Sequence, residues 1–133
     1  MRYKDWQERF WREIYAQRNE PFVWGVRDCV LAAARVAEAI SDEGYLQKTR
    51  EAFHWKNERE AVALMRGGLC KLVEHVIGPM VPWTRLSMGD IVLIVDDEDR
   101  ESIGLHDGAQ IIGPDAIGFK AIPYRCVNGG WRV

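Results

Sequence analysis

Hydrophobic positions near the start of the chain fall at Tyr3, Trp6, Phe10 and Ile14, with Arg and Glu between them. Steps of three and four predict an amphipathic helix, which Asn19-Glu20-Pro21 should end because proline cannot continue the hydrogen-bond ladder. A short aromatic loop, Phe22 to Arg27, leads to Asp28, a good N-cap, and then to a run from Cys29 to Ile40 that is apolar on nearly every face. A helix apolar all round is a buried central helix, stopped here by Ser41 to Gly44. Asn57 with Glu60 reads as a capping box opening a helix through Met65 that Gly67-Gly68 closes. Leu69, Leu72, Val73, Val76 and Ile77 form another helical stripe before Gly78-Pro79.

Beyond Gly89-Asp90 the period changes. Ile91 to Val95 is a continuous aliphatic strand, Asp96 to Glu101 an acidic turn, and Ser102 to His106 a second strand. Asp107-Gly108 predicts a type I′ hairpin with a returning strand from Ala109 to Gly113. Further short strands are expected at Phe119 to Ile122 and Trp131 to Val133. Helices first and an antiparallel sheet afterwards is an α+β order.

The 133 residues suit one domain, 1–133, with one sizeable core. Eighteen Lys and Arg against 20 Asp and Glu leave a net charge of −2 and no broad basic field, which argues against a nucleic-acid partner. Cys29, Cys70 and Cys126 are three, show no C-x-x-C spacing, and so predict neither a disulfide framework nor a zinc knuckle. His54 and His75 have no ligand partner at metal spacing, and Asp96 to Glu101 lacks the pattern of a calcium loop, so no metal and no cofactor is expected. No apolar run follows Met1-Arg2-Tyr3-Lys4-Asp5, so no signal peptide is expected, and no stretch is long enough for a membrane span.

Cys29 is the most informative position. In the first turn of a helix capped by Asp28, its thiol would meet orphan N–H groups and the positive dipole end, which favour the nucleophilic thiolate. The competing reading is packing, because free cysteine is among the most buried residue types. Asp28 reads as a structural cap, since its negative charge would raise a neighbouring thiol's pKa. Trp24 and Gly25 either shape the turn into the helix or wall a groove. Trp11 lies off the first helix's stripe, and either packs or stands exposed as an interface aromatic.

Pro21-Phe22-Val23-Trp24-Gly25-Val26-Arg27-Asp28-Cys29, followed by an Ala-rich helix, resembles the Tyr-x-Trp-Gly...Asp-Cys element of the NlpC-type, papain-like cysteine peptidases and amidases. Gly89-Asp90-Ile91-Val92 is similar to their Gly-Asp-Leu-Val. Ser102-Ile103-Gly104-Leu105 falls where they have His-Val-Gly-Ile. The layout, down to Gly130-Trp131-Arg132-Val133, is more similar still to a small uncharacterised branch of this fold in phage and prophage tail gene clusters.

The resemblance implies a papain-like α+β fold, a central buried helix starting at the cysteine and packed on a C-terminal antiparallel sheet. It also implies Cys29 as nucleophile. The family's base position is Ser102, which has no useful basicity, and its orienting position falls near Ile111 or Ile112, which are apolar. His106 shares a strand face with Ser102 two side-chain repeats along the axis, and with Gln110 as an orienting amide it could replace the base after a bulge. Its plainer reading is a polar hairpin end. Two functions follow: a structural or assembly module bound to phage tail proteins with a vestigial thiol groove, or an active peptidase or amidase cutting peptide bonds such as peptidoglycan stem peptides. Either would be made in the bacterial cytoplasm, with incorporation into a virion tail as its destination.

Overall fold

The computed structural model describes residues 1–66 and 68–133. Among them are five α-helices, α1 (Trp6–Ala16), α2 (Cys29–Ile40), α3 (Tyr45–Ala52), α4 (Glu58–Met65) and α5 (Leu69–Ile77), followed by a sheet. Its strands are β1 (Ile91–Val95), β2 (Glu101–His106), β3 (Ile111–Pro114), β4 (Phe119–Ile122) and β5 (Val127–Trp131). The sheet is antiparallel throughout, in the order β4-β3-β2-β1-β5, so the protein is an α+β domain.

Helix α2 is central. Its alanines 32, 33, 34 and 37 are buried, and such short side chains let α1 and α3 approach it closely while it lies across β2. Phe10, Val36, Ala37 and Ile40 meet Ile91, Leu93, Ile103, Leu105 and Trp131 in the main core. Val92, Ile94 and Ile111 project from the opposite face of the sheet and pack with Leu86, Ile122, Cys126 and Val127 in a second layer.

The link from β4 to β5 dictates the shape of the sheet. Four gaps between five flat strands would set its edges roughly 19 Å apart. The chain from Ile122 to Val127 includes a 3₁₀ turn at Tyr124–Cys126, and such a short link spans well under the ~18 Å of a fully extended one. The sheet therefore curls, and Val127 and Cys126 close its back.

Three differences from the sequence expectation have physical causes. Helix α3 follows Gly44, whose φ of +71° restarts the chain after α2, and its Thr49 hydroxyl donates to the Tyr45 carbonyl at 2.7 Å in place of an outside partner. The β2–β3 connection is a four-residue loop, 107–110, because Asp107 Oδ1 accepts from the N–H groups of Ala109 (2.9 Å) and Gln110 (2.8 Å); a two-residue turn would leave those donors in the ladder. The last strand ends at Trp131, since the Val133 N–H is taken by Asp90 Oδ1 at 3.1 Å. The expected α4 boxing is present but shifted: Asn57 accepts from Glu60 N–H, and Glu60 reaches back to Lys56 N–H. The Gly67 half of the expected helix stop lies outside the described residues.

Asp90 joins the two ends of the chain. Fully buried, it accepts from Arg2 Nη2 at 2.8 Å, Val133 N–H and Ser87 N–H, while Arg2 also donates to the carbonyls of Met88 and Val133. The guanidinium lies 4.1 Å from the centre of the Trp6 ring. Asp90→Ala leaves Arg2 and two N–H groups without their acceptor, and should cost about 3–5 kcal/mol. Urea unfolding of the variant checks this, and a loss below about 1 kcal/mol would mean the clamp is dispensable.

Candidate functional site

The segment before α2 is locked from three directions. Val23 and Arg27 exchange backbone hydrogen bonds at 2.8 Å around a tight turn in which Gly25 has φ +79°. A β-carbon at Gly25 would also stand 2.7 Å from the Trp55 carbonyl oxygen, so both conformation and space require glycine there. Arg27 is buried and donates to Gln17 Oε1 at 2.9 Å, to the Glu20 carbonyl at 3.0 Å and to the Gly118 carbonyl at 2.7 Å. It thereby ties the end of α1 to the β3–β4 loop. Arg35 grips Glu20 with two nitrogens and Glu13 with a third.

Asp28 caps α2, as its type and position predict. Its Oδ1 accepts from Leu31 N–H at 2.9 Å, while Oδ2 accepts from Gly25 N–H at 3.0 Å and from the indole Nε1–H of Trp55 at 2.5 Å. The carboxylate is 1% exposed and turned to these three donors, so it is a structural cap.

Cys29 is the first residue of α2, as expected, but its thiol is sealed. It is 7% exposed and packs in the main core with Ile103 and Leu105. Burial pushes its pKa up to about 12; the Asp28 charge adds to this, and N–H groups of Ile103 and Val30 oppose it without prevailing. The expected activation by the helix N-terminus is thus outweighed by desolvation. The cleft at the thiol is lined by Trp24, Trp55, Ala61, Leu64 and Leu69 and measures about 10 Å³, the room of a single water.

The candidate base lies on the wrong side of the sheet. Ser102, Gly104 and His106 alternate with Glu101, Ile103 and Leu105 along β2. A β-carbon on Gly104 would lie 2.8 Å from Ile94 and 3.2 Å from Ile111, in the back layer, whereas Ile103 and Leu105 face Cys29. His106 and Ser102 therefore point away from the thiol. No bulge interrupts the β1–β2 register to turn them round. His106 Nδ1 instead accepts from Gly108 N–H at 3.0 Å, a turn contact. Gln110 is exposed in the loop and brings no amide to the cysteine. Ile111 and Ile112 are both buried, one on each face.

Trp24 lines the thiol cleft and stacks edge-on with Phe22 at 4.7 Å. Cys70, half-buried, points its thiol toward Glu74, and Cys126 packs in the back layer. His54 and His75 are exposed. Among the described residues no three His, Cys, Asp or Glu side chains are placed to hold a metal ion.

Two residues of this region escape sequence reasoning. Trp55 reaches Asp28 across 27 positions, and nothing local marks it. Glu101 belongs by sequence pattern to the acidic turn, yet it opens β2, is 8% exposed on the helix-facing side, and its Oε1 has no hydrogen-bond partner among the described residues.

Fold and site together define an α+β domain built round a capped helix whose first-turn thiol is buried. The family model "Domain of unknown function (DUF6950)" matches residues 1–133, and the chain belongs to that family. No curated protein matches the chain.

Two measurements test the site. Because the folded Cys29 thiol titrates near pH 12 and an unfolded one near 9, its neutral burial stabilises the fold fully below pH 9, and that contribution falls away as pH rises toward 12. Between pH 8 and pH 10 the protein should lose about 1.4 kcal/mol more in urea unfolding than Cys29→Ala does; equal losses would place the thiol in water. Trp55→Phe removes a donor from a buried carboxylate and should cost about 1.5–3 kcal/mol. A Tm unchanged from the parent would show the Asp28 contact to be idle.

Proposed function

We propose that this chain is a papain-like domain of the NlpC type, associated with phage or prophage tails, that works as a structural or assembly module with a vestigial thiol groove. The observation that carries the reading is the seal over Cys29. A papain-like nucleophile needs a thiolate, a base within hydrogen-bond reach and room for a carbonyl. Here the thiol is buried and held neutral, the imidazole of His106 is on the far side of the sheet, and the cleft holds one water at most.

Support for the family comes from where the resembling residues sit. Trp24-Gly25 makes the turn, Asp28 caps the helix, Cys29 opens it, and Gly89-Asp90 leads into β1. Each holds a structural duty that remains when catalysis is lost. Support for a protein partner comes from the surface: Trp11 is 48% exposed and Tyr15 64% exposed on the outer side of α1, with the Arg18 guanidinium 3.6 Å from the centre of the Tyr15 ring. Tryptophan, tyrosine and arginine are the residues that dominate protein interfaces. The net charge of −2 offers phosphates no comparable attraction. Among the described residues no helix is long and apolar enough to cross a membrane.

The test separates the module from an enzyme. In a phage carrying this gene, Cys29→Ala should leave particle yield and infectivity within about twofold, because no reaction depends on the thiol. Deleting the gene should stop tail assembly, and purified protein should release no Cys29-dependent product from peptidoglycan. Loss of infectivity in a folded Cys29→Ala protein, together with peptide-bond cleavage by the parent, would overturn the reading in favour of a cysteine peptidase or amidase.

A further inference from the structure

Two surfaces of opposite charge stand on separate stretches of this chain. The first is an open groove of about 450 Å³ between the turn before α2 and the segment that follows α3. Its lining is apolar at Val26, Phe53 and Trp55 and basic at Arg50, His54 and Lys56, and all three basic residues are exposed. The groove is preformed, since Trp55 is fixed by its indole N–H on Asp28 and Val26 donates its N–H to the Val23 carbonyl at 3.0 Å. Val26 is 64% exposed, a large share for an apolar side chain beside two aromatic residues.

The second surface is the tip of the β1–β2 hairpin, where Asp97, Glu98 and Asp99 are exposed in succession. Asp96 holds this tip in shape. Its Oδ1 accepts from the N–H groups of Glu98 at 2.8 Å and Arg100 at 3.0 Å, its Oδ2 accepts from Arg100 Nε at 2.9 Å, and its carbonyl accepts from Asp99 N–H at 3.1 Å. Asp99 has φ +59°, a left-handed conformation that aspartate tolerates in tight turns. Three carboxylates are therefore displayed on a loop ordered in advance, and docking such a loop costs little further conformational entropy.

We propose that the groove's partner is a second copy of this chain, with the acidic tip 97–99 of one copy seated among Arg50, His54 and Lys56 of the next. Charge complementarity selects this occupant, and seating the tip would also cover Val26. Tip and groove are different surfaces, so the contact runs head to tail, and its repetition closes a ring or extends a filament. A net charge of −2 gives the copies little overall repulsion, which leaves the local fields to set their orientation. A hairpin tip in an open groove is smaller than a stable interface, so association should be weak, with a Kd of roughly 0.1 mM, and salt-sensitive. The contact needs neither a phage nor thiol chemistry, so its failure is distinct from failure of the tail-module reading.

The experiment is sedimentation of the full chain near pH 7, from about 10 µM to about 1 mM protein, in about 20 mM and about 0.5 M NaCl. In low salt the average mass should rise at least about 1.5-fold with concentration, and high salt should return it to the monomer. The groove variant Arg50→Glu/Lys56→Glu and the tip variant Asp97→Lys/Glu98→Lys should each stay monomeric, with thermal unfolding showing both folded. Mixed one to one they should associate again, because each then carries the charge the other's altered surface needs. Lys4→Glu/Arg12→Glu shifts the net charge as far as the groove variant does but outside both surfaces, and should associate as the parent does. A parent that is monomeric throughout overturns the proposal and leaves the groove to an acidic segment of another protein. Association that persists in either single variant, or a mixture that stays monomeric, overturns it as well.

Discussion

The carboxylate of Asp28 is the contact on which this end of the molecule depends. Three donors from three separate stretches of chain converge on it: Leu31 N–H inside the helix, Gly25 N–H in the turn before it, and the Trp55 indole from the segment between α3 and α4. A buried carboxylate is costly unless hydrogen-bonded, and here each donor is also a structural tie. The same group that starts α2 therefore fixes the turn that feeds it and draws Trp55 across the cysteine. Capping and closure of the cleft are one arrangement.

The second constraint is the curl of the sheet. Because a short link joins its two outer strands, the back face closes on itself and fills with Val92, Ile94, Ile111, Ile122 and Val127. Gly104 belongs to that closure, since a β-carbon there would collide with Ile94 and the Ile112 carbonyl at 2.8 Å each. Strand β2 is thereby pinned in register, with its odd positions toward α2 and its even positions toward the back. A one-residue slip would bury His106 against the helices and expel Ile103 and Leu105, an exchange of two large apolar side chains for one polar ring. The location of His106 is thus a packing outcome, and a strong one.

Local signals were legible wherever the physics was local. The Asp28 cap, the 29–40 helix, the Asn57 cap and the Ile91 to Val95 strand are written in side-chain type and period, and they stand where those patterns place them. Helix α3 was not legible, because Tyr45 to Ala52 mixes Lys, Gln, Arg and Glu with few apolar positions and is held by packing against α2 and α5. The β2–β3 loop was misread because Asp107-Gly108 looks the same as the first half of a four-residue loop and as a complete two-residue turn. At the site, the position of Cys29 was readable and its surroundings were not. Burial by Trp55, Ala61 and Leu64 depends on contacts roughly 25 to 35 positions away along the chain.

That gap decides how a helix-start cysteine should be judged. The N-terminal dipole favours an anion by typically 0.3–1 kcal/mol and by ~2 kcal/mol in favourable buried geometry. Raising the thiol from 9.0 to about 12 corresponds to about 4 kcal/mol against the anion, which the helix start cannot offset. Desolvation wins, and it wins because apolar side chains cover the sulfur, not because the helix is badly placed. The chemistry of Cys29 is therefore set less by the residues beside it in sequence than by the cover above it. A thiol at a helix start stays neutral for as long as Trp55, Ala61 and Leu64 close over it, whatever the dipole beneath it favours.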